Sequence, residues 1–211
     1  MVGTSAKRPV GRLHVLTDTR PGRDPLAVVR AALSAGAPVI QVRVTDQVTD
    51  RQAYELAGRV AALCREYGAT CLVNDRLHVA LAVGADGGHV GAEDLPVVAA
   101  RAVLGADALL GGTAREPEDA RAAVAAGVDY LGVGPCYPTT TKELPVPPGG
   151  VDRIARVAAA VPVPVIAIGG VSAARVPELI AAGAYGVAVV GEVSAAADPA
   201  AAVTALLRAL P

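Results

Sequence analysis

The stretch VAAGVDYLGVG at residues 124–134 shows the pattern that decides the fold of this chain. An Ala-rich, helix-forming run stops at Gly127, and a continuous apolar run follows directly. Glycine can take the positive φ that closes a helix, and an uninterrupted apolar strand is typical of a parallel sheet covered on both faces. Similar phrases surround Gly36, Gly68, Gly84 and Gly183. The chain is therefore predicted to consist of repeated helix–strand units.

Working outward from these phrases predicts eight strands, at 13–16, 39–43, 70–73, 87–90, 109–112, 130–133, 165–168 and 186–189. Helices are expected near 25–35, 51–67, 77–83, 96–104, 116–126, 151–160, 173–182 and 198–209. A doubly wound open sheet is the alternative, but no GxGxxG motif follows the first strand. Eight units in 211 residues correspond to the lower end of the size range of (β/α)₈ barrels. We predict an α/β protein with a single (β/α)₈ TIM barrel over residues 1–211, in which 1–11 form a flexible N-terminal extension.

The composition excludes several classes of function. Lys and Arg number 19 against 20 Asp and Glu, a formal net charge of −1, so the chain has no basic excess for binding nucleic-acid phosphates. The N-terminus lacks the apolar stretch of a signal peptide, and no apolar run approaches the roughly 20 residues of a membrane helix. The three cysteines form neither a disulfide framework nor a CxxC pair. We expect a cytoplasmic protein that binds small-molecule substrates, with no nucleic-acid or membrane partner. We also expect a homodimer that forms through the outer helices.

Two aspartates are the natural metal candidates. Catalytic groups of a barrel lie at the C-terminal ends of its strands, and Asp75 and Asp94 follow the third and fourth strands. Two carboxylates from neighbouring strand ends can hold one hard divalent cation, which then binds substrate phosphate. Alternatively, each aspartate caps the helix that follows it. Both interpretations stay open at this point.

Two other segments have residues suited to phosphate. The sequence TTTK at 139–142 lies in a long loop, 136–150, and combines hydroxyl donors with one ammonium group. Glycines at 169–170 precede a helix start at Ser172, and Gly191 follows the last strand. Small residues at a helix N-terminus let backbone N–H groups approach an anion. The length of the loop and its position favour an active-site flap.

The histidines are predicted to have no catalytic role. His14, His78 and His89 all lie beside apolar residues in predicted strands or helices. Each is interpreted as a core or surface histidine, and no Ser/His/Asp or Cys/His arrangement stands out.

Over nearly its whole length, the chain resembles the thiamine-phosphate synthase family. The resemblance is carried by HVLTD at 14–18, QVR at 41–43, VNDR at 73–76, HVGAEDLP at 89–96, YLGVGPCYPTTTK at 130–142, VPVIAIGGV at 163–171 and GVAVVG at 186–191. It implies a Mg²⁺-dependent transferase that joins hydroxymethylpyrimidine diphosphate to thiazole phosphate, giving thiamine phosphate and pyrophosphate. A pyrimidine-stabilised cation is expected to form as pyrophosphate leaves, and the thiazole nitrogen captures it.

The resemblance also implies roles for individual residues. The pyrimidine diphosphate would be held by Gln41, Arg43 and Asn74, with Thr113 and Lys142 on its diphosphate, and the magnesium by Asp75 and Asp94. The thiazole phosphate would be bound by Thr139, Thr141, Gly170, Val190 and Gly191. The residues expected to act in catalysis are Arg43, Lys142 and Arg115.

Two departures from the family pattern concern positive charge. The family usually reads Gln-x-Arg-Glu-Lys after its second strand, whereas this chain has Thr45 where the lysine would stand. After the fifth strand, the usual Ser-x-His is Thr113-Ala114-Arg115. We hypothesise that Arg115 supplies the charge that is missing at Thr45.

The sequence leaves alternative functions open. The related thiazole tautomerase branch performs a proton shift on thiazole phosphate. That chemistry resembles a reaction that uses a histidine after the fifth strand, where this chain has Arg115. An enzyme acting on a different aromatic diphosphate is a further alternative, because Thr45 alters the part that binds it. A degenerate, non-catalytic barrel that binds a phosphorylated ligand is the non-enzyme alternative.

Overall fold

The structure, a computed structural model, describes residues 7–141 and 146–211. Its strands are β1 Leu13–Leu16, β2 Val39–Val42, β3 Thr70–Asn74, β4 Gly87–Val90, β5 Leu109–Ala114, β6 Tyr130–Val133, β7 Val165–Ile168 and β8 Gly186–Val189. Each strand pairs in parallel with the next, and β8 pairs with β1, so the sheet closes into a barrel. The predicted (β/α)₈ TIM barrel is confirmed.

Helices alternate with the strands and cover the barrel. They are α1 Pro25–Ser34, α2 Asp50–Tyr67, α3 Leu77–Val83, α4 Val97–Leu104, α5 Pro117–Ala125, α6 Gly150–Ala158, α7 Val176–Ala181, α8 Gly191–Ser194 and α9 Pro199–Ala209. Local signals explain their ends: α2 begins with a capping box between Thr49 and Gln52 and ends at Gly68 in the left-handed conformation.

Two differences from the predicted helices concern the last third of the chain. The segment predicted as one helix over 173–182 is a 3₁₀ turn, Ala173–Arg175, followed by α7. Pro177 occupies the first turn of α7, because proline has no N–H to donate within a helix. The short helix α8, directly after β8, was not predicted.

The apolar residues form two cores. The larger core lies between the strands and the surrounding helices, with residues such as Val60, Ile154 and Leu206 fully buried. The smaller core fills the interior of the barrel, with Leu16, Val39, Leu72, Leu109, Tyr130, Ile166, Ala188 and Val190. Filling by inward-pointing side chains is the rule for eight-stranded barrels. The open end of the barrel lies above this inner core.

Residues 7–11 of the predicted N-terminal extension lie against the N-terminal end of the barrel. Lys7 forms an ion pair with Asp129 at 2.7 Å, and Arg8 forms one with Asp86 at 3.3 Å. Val10 packs against the inner core, and its carbonyl oxygen lies 2.7 Å from Nε2 of His14. Because a carbonyl oxygen only accepts, His14 carries its proton on Nε2. The described part of this segment is therefore packed against the barrel.

His14 should make the fold sensitive to mild acid. Burial lowers the pKa of His14 from 6.5 to about 4, so the unfolded chain binds a proton before the folded protein does. The free energy of unfolding should therefore fall from pH 6.5 towards pH 4, by about 2 kcal/mol between pH 7 and pH 5. Urea unfolding across this range tests the effect, and the His14→Gln variant should lose this part of the pH dependence. An equal pH dependence in both proteins would contradict it.

Candidate active site

A cavity of about 660 Å³ opens at the C-terminal ends of the strands. Every strand, or the loop that follows it, contributes to the lining, from Leu16 at the end of β1 to Gly191 after β8. This is the end at which the active sites of TIM barrels lie. The cavity is large enough for a small-molecule ligand.

The structure brings the residues predicted for the site together. Twelve of them line the cavity: Gln41, Arg43, Asn74, Asp75, Asp94, Thr113, Arg115, Thr139, Thr141, Gly170, Val190 and Gly191. The thirteenth, Lys142, lies outside the described residues. Polar groups that are scattered along the sequence therefore face one pocket.

The two predicted metal ligands share this cavity. Asp75 has a φ of 61°, and it is the one non-glycine residue with positive φ in the described part of the chain. Such a conformation is uncommon, although Asp adopts it more readily than most residues. The Oδ2 atom of Asp94 accepts a hydrogen bond from the backbone N–H of Gly91 at 2.8 Å, which holds the carboxylate at the end of β4.

The capping alternative for these aspartates does not fit the helix starts. The N-cap residues of α3 and α4 are Arg76 and Pro96, not Asp75 and Asp94. Among the described residues, no group of three or more His, Cys, Asp or Glu side chains is arranged to hold a metal ion. Asp75 and Asp94 therefore line the cavity as two carboxylates, and the described residues do not complete a metal cage around them.

Three guanidinium groups line the cavity, on Arg43, Arg115 and Arg175. The backbone of Arg43 is fixed by Thr17, whose hydroxyl donates to its carbonyl at 2.6 Å and accepts from its N–H at 2.8 Å. Arg115 has a buried Nε atom that lacks a hydrogen-bond partner within residues 7–141 and 146–211. An unpaired buried donor is costly unless a ligand satisfies it, so Arg115 is suited to an anionic ligand.

Arg175 was missed by the sequence analysis. Its Nη1 donates to the carbonyl oxygen of Gly170 at 2.6 Å, and its guanidinium lies 4.1 Å from the centre of the Tyr137 ring. It therefore ties the glycine pair at 169–170 to the loop after β6. The only sequence signal was its position five residues after Gly170. Thr45 does not line the cavity; its N–H donates to the Thr19 hydroxyl at 3.0 Å.

The loop after β6 packs directly on the glycines after β7. Gly169 and Gly170 have φ values of 92° and 65°, and a Cβ atom on Gly170 would lie 2.5 Å from the carbonyl oxygen of Pro138. The hydroxyls of Thr139 and Thr141 lie 2.9 Å apart. These contacts form a cradle of hydroxyls and small residues beside the N-terminus of the 3₁₀ turn.

A buried carboxylate anchors this loop. Asp18, only 4% exposed, accepts hydrogen bonds from Nε and Nη2 of Arg20 at 2.8 and 2.7 Å and from the Ser194 hydroxyl at 2.8 Å. Arg20 also donates to the carbonyl oxygen of Thr140 at 3.1 Å. The hydrogen bond from Arg20 lowers the pKa of Asp18 to about 2. The network joins β1, α8 and the loop that carries the threonines.

Replacing Asp18 with Asn should loosen this loop. Because the amide cannot pair with the Arg20 charge, the free energy of unfolding should fall by about 2 kcal/mol. This is less than the loss for a fully buried ion pair, because Arg20 is partly exposed and water screens its charge. Ligands that contact Thr139 and Thr141 should bind more weakly. Urea denaturation and ligand titration measure the two effects. The Asp152→Asn variant on α6 serves as the control, and equal behaviour of the two variants would contradict the anchoring role.

Two histidines predicted to lack a functional role line the cavity. His14 lies at its floor, and His89 on β4 is 8% exposed. His89 lies beside Asn74 of β3 and Gly111 of β5 in the sheet register. The register could have indicated that His89 belongs to the site, because it aligns His89 with Asn74, a predicted site residue at the end of β3. His78 is exposed on α3 and contacts Asp50.

None of the helices within residues 7–141 and 146–211 is both long and apolar enough to span a membrane.

Comparison with known proteins agrees with the predicted family. The sequence model of a family described as thiamine monophosphate synthase matches residues 13–193. A thiamine-phosphate synthase of Salinispora arenicola is 68% identical over 203 residues, covering 95% of this chain and 98% of that protein. A thiamine-phosphate synthase of Anaeromyxobacter dehalogenans is 46% identical over 170 residues, covering 81% and 74% of the two chains.

A solved structure extends the comparison to the fold. The thiamine phosphate pyrophosphorylase of Pyrococcus furiosus superimposes with a TM-score of 0.84 at 34% sequence identity, and the match covers 94% of each chain.

Proposed function

Because the chain belongs to the thiamine monophosphate synthase family, we propose that it joins hydroxymethylpyrimidine diphosphate to thiazole phosphate, forming thiamine phosphate and releasing pyrophosphate. The observation that carries this assignment is the meeting of Asp75 and Asp94, three guanidinium groups and a glycine-and-threonine cradle in one cavity. Two anionic substrates need two anion-binding regions in one pocket.

We assign the pyrimidine diphosphate to the part of the cavity lined by the ends of β2, β3 and β5. Gln41 and Asn74 offer amide groups to the pyrimidine side, while Arg43 and Arg115 offer positive charge to the diphosphate. Negative charge develops on pyrophosphate as its bond to the pyrimidine methylene carbon breaks. Cations fixed beforehand around that charge lower the barrier, because they need not reorganise as it forms. The Nε atom of Arg115, which has no hydrogen-bond partner among the described residues, is the donor best suited to this role.

We assign thiazole phosphate to the part of the cavity lined by the residues that follow β6, β7 and β8. The threonine hydroxyls at 139 and 141 and the backbone around Gly170 and Gly191 line that part. Small residues permit backbone N–H groups to approach a phosphate closely. Arg175 donates a hydrogen bond to the Gly170 carbonyl oxygen and stacks on the Tyr137 ring. These contacts position the cradle before the ligand binds.

Magnesium is included in the proposal. A pair of carboxylates such as Asp75 and Asp94 suits Mg²⁺, which is commonly bound by one or two carboxylates together with water and substrate phosphates. Asp75 and Asp94 would hold it, and their placement in the same cavity supports this. When bound, the ion would neutralise charge on the diphosphate. The homodimer and the cytoplasmic location stay predictions from the sequence.

A pyrophosphate-release assay tests the function. With both substrates and Mg²⁺, we expect pyrophosphate and thiamine phosphate to appear in equal amounts, and neither to appear when one substrate is omitted. Isomerisation of a thiazole phosphate without the pyrimidine substrate would assign a tautomerase instead. Binding of thiazole phosphate without turnover would assign a binding protein.

Replacing Arg115 with Ala should slow pyrophosphate release at least ten-fold, about 1.4 kcal/mol in activation free energy. The reason is the loss of a cation beside the leaving group. Steady-state kinetics with saturating thiazole phosphate measures the effect, and Arg115→Lys should retain part of the rate. The Arg121→Ala variant, on the outer surface of α5, is the control. An unchanged rate in Arg115→Ala would reject the hypothesis that Arg115 supplies the positive charge that is missing at Thr45.

A further inference from the structure

Four side chains at the floor of the cavity form a continuous hydrogen-bonded chain. Nε2 of Gln41 lies 3.4 Å from the Tyr130 hydroxyl, which lies 3.1 Å from Nδ1 of His89. Nε2 of His89 lies 3.0 Å from the Thr113 hydroxyl. The residues come from β2, β6, β4 and β5 and all line the cavity. We call them the Gln41–Thr113 chain.

Two glycines make room for the rings of this chain. A Cβ atom on Gly111 would lie 2.2 Å from Cζ of Tyr130 and 2.4 Å from Nδ1 of His89. A Cβ atom on Gly132 would lie 3.0 Å from Cε1 of His89. Glycine weakens a strand interior and marks a close approach. Two positions on neighbouring strands therefore lack a side chain, which leaves space for the rings of His89 and Tyr130.

The donors and acceptors along the chain have one consistent order. The Gln41 amide nitrogen can only donate, so the Tyr130 oxygen accepts from it. A proton on Nδ1 of His89 would leave the Tyr130 hydroxyl hydrogen without an acceptor among these four side chains, so we infer that this hydrogen is directed to Nδ1. His89 then carries its own proton on Nε2 and donates it to the Thr113 oxygen. Burial raises the pKa of Tyr130 far above its usual value, so its hydroxyl keeps the hydrogen that this order requires.

This order fixes what each end of the chain presents to the cavity. The Thr113 oxygen already accepts from His89, so its hydroxyl hydrogen is available to a ligand. The Gln41 nitrogen is directed to Tyr130, so its carbonyl oxygen is available as an acceptor. In the reverse order, Thr113 would present lone pairs to the cavity, which repel the oxygens of a diphosphate.

We propose that Tyr130 and His89 are positioning residues, which act through Thr113 to hold its hydroxyl as a donor to the substrate diphosphate. They also hold the Gln41 carbonyl as an acceptor towards the pyrimidine. The inference rests on the proposed function for the identity of the substrate. Its physical basis is preorganisation: a donor oriented before the charge develops need not reorganise during the reaction.

The order of the chain can be tested on the free protein by ¹⁵N NMR of the histidine side chains. The His89 signals are those that disappear in the His89→Gln variant. We expect the tautomer with the proton on Nε2 in the wild type, and a substantial share of the Nδ1–H tautomer in Tyr130→Phe. Tyr54→Phe, at an exposed tyrosine on α2, should leave the His89 signals unchanged. A proton on Nδ1 in the wild type, or an unaltered tautomer in Tyr130→Phe, would overturn the proposal.

A double-mutant cycle tests the consequence for catalysis. Tyr130→Phe and Thr113→Val should each slow pyrophosphate release at least about ten-fold, and the double variant should be no slower than Thr113→Val alone. Non-additivity is expected because Tyr130 acts through Thr113, and Thr113→Ser should restore most of the loss. Effects that multiply would overturn the proposal. If the wild type releases no pyrophosphate, the proposed function fails, whereas the NMR result still decides the order of the chain.

Discussion

Asp75→Asn is expected to lower kcat/KM for pyrophosphate release at least a hundred-fold, about 2.7 kcal/mol in activation free energy. Asp75 lines the cavity and is proposed to bind Mg²⁺ together with Asp94. Asparagine is the informative replacement because, like aspartate, it tolerates the positive φ found at this position. The substitution therefore removes the charge while it preserves the backbone. Initial rates measured across a Mg²⁺ titration test the prediction.

The same titration separates metal binding from other roles of Asp75. If the carboxylate binds the ion, the Mg²⁺ concentration for half-maximal rate should rise in Asp75→Asn and also in Asp94→Asn. Asp119→Asn, on the exposed surface of α5, is the matched control and should titrate like the wild type. Two variants with a reduced rate but an unchanged Mg²⁺ dependence would contradict the proposed metal site.

Gly170→Ala is expected to have the second large effect. Its Cβ atom would lie 2.5 Å from the carbonyl oxygen of Pro138 and 2.8 Å from Cβ of Tyr137, so the loop carrying Thr139 and Thr141 would have to move. The positive φ of 65° adds backbone strain. We expect the KM for thiazole phosphate to rise at least about ten-fold and the free energy of unfolding to fall by roughly 1–3 kcal/mol.

Gly84→Ala provides a control for the backbone contribution. Gly84 has a φ of 62°, close to that of Gly170, but no atom lies within 4 Å of its Cβ position. This variant should lose stability through strain alone and keep the KM for thiazole phosphate. Steady-state kinetics and urea unfolding of both variants test the comparison. A rise in KM of equal size in Gly84→Ala would show that the cradle is not the cause.

Much of the barrel could be predicted because its signals are local. The ends of α2 and α3, for example, are set by Gly68 and Gly84 in the left-handed conformation. The strands that follow are short apolar runs, so their bounds could be read to within two residues. The short helix α8 could not be predicted, because its four residues carry neither an amphipathic repeat nor a side-chain cap.

The site could be predicted only in part, for a physical reason. Residues at strand ends follow from the fold, and the family resemblance, which is confirmed, gave them roles. Contacts such as those of Asp18 with Arg20 and Ser194 depend on segments that are distant in sequence. His89 was assigned to the core because its neighbours are apolar, whereas its side chain faces the cavity through the space left by Gly111. Sequence periodicity cannot show such space.

The hydrogen bond between Asp18 and Ser194 crosses the seam where the first and last strands of the barrel meet. The two residues are 176 positions apart, so this hydrogen bond joins the first and last units of the ring. The loop that Arg20 restrains is tied to the same seam. The position of the threonines that line the cavity therefore depends on a contact between the first and last units of the ring.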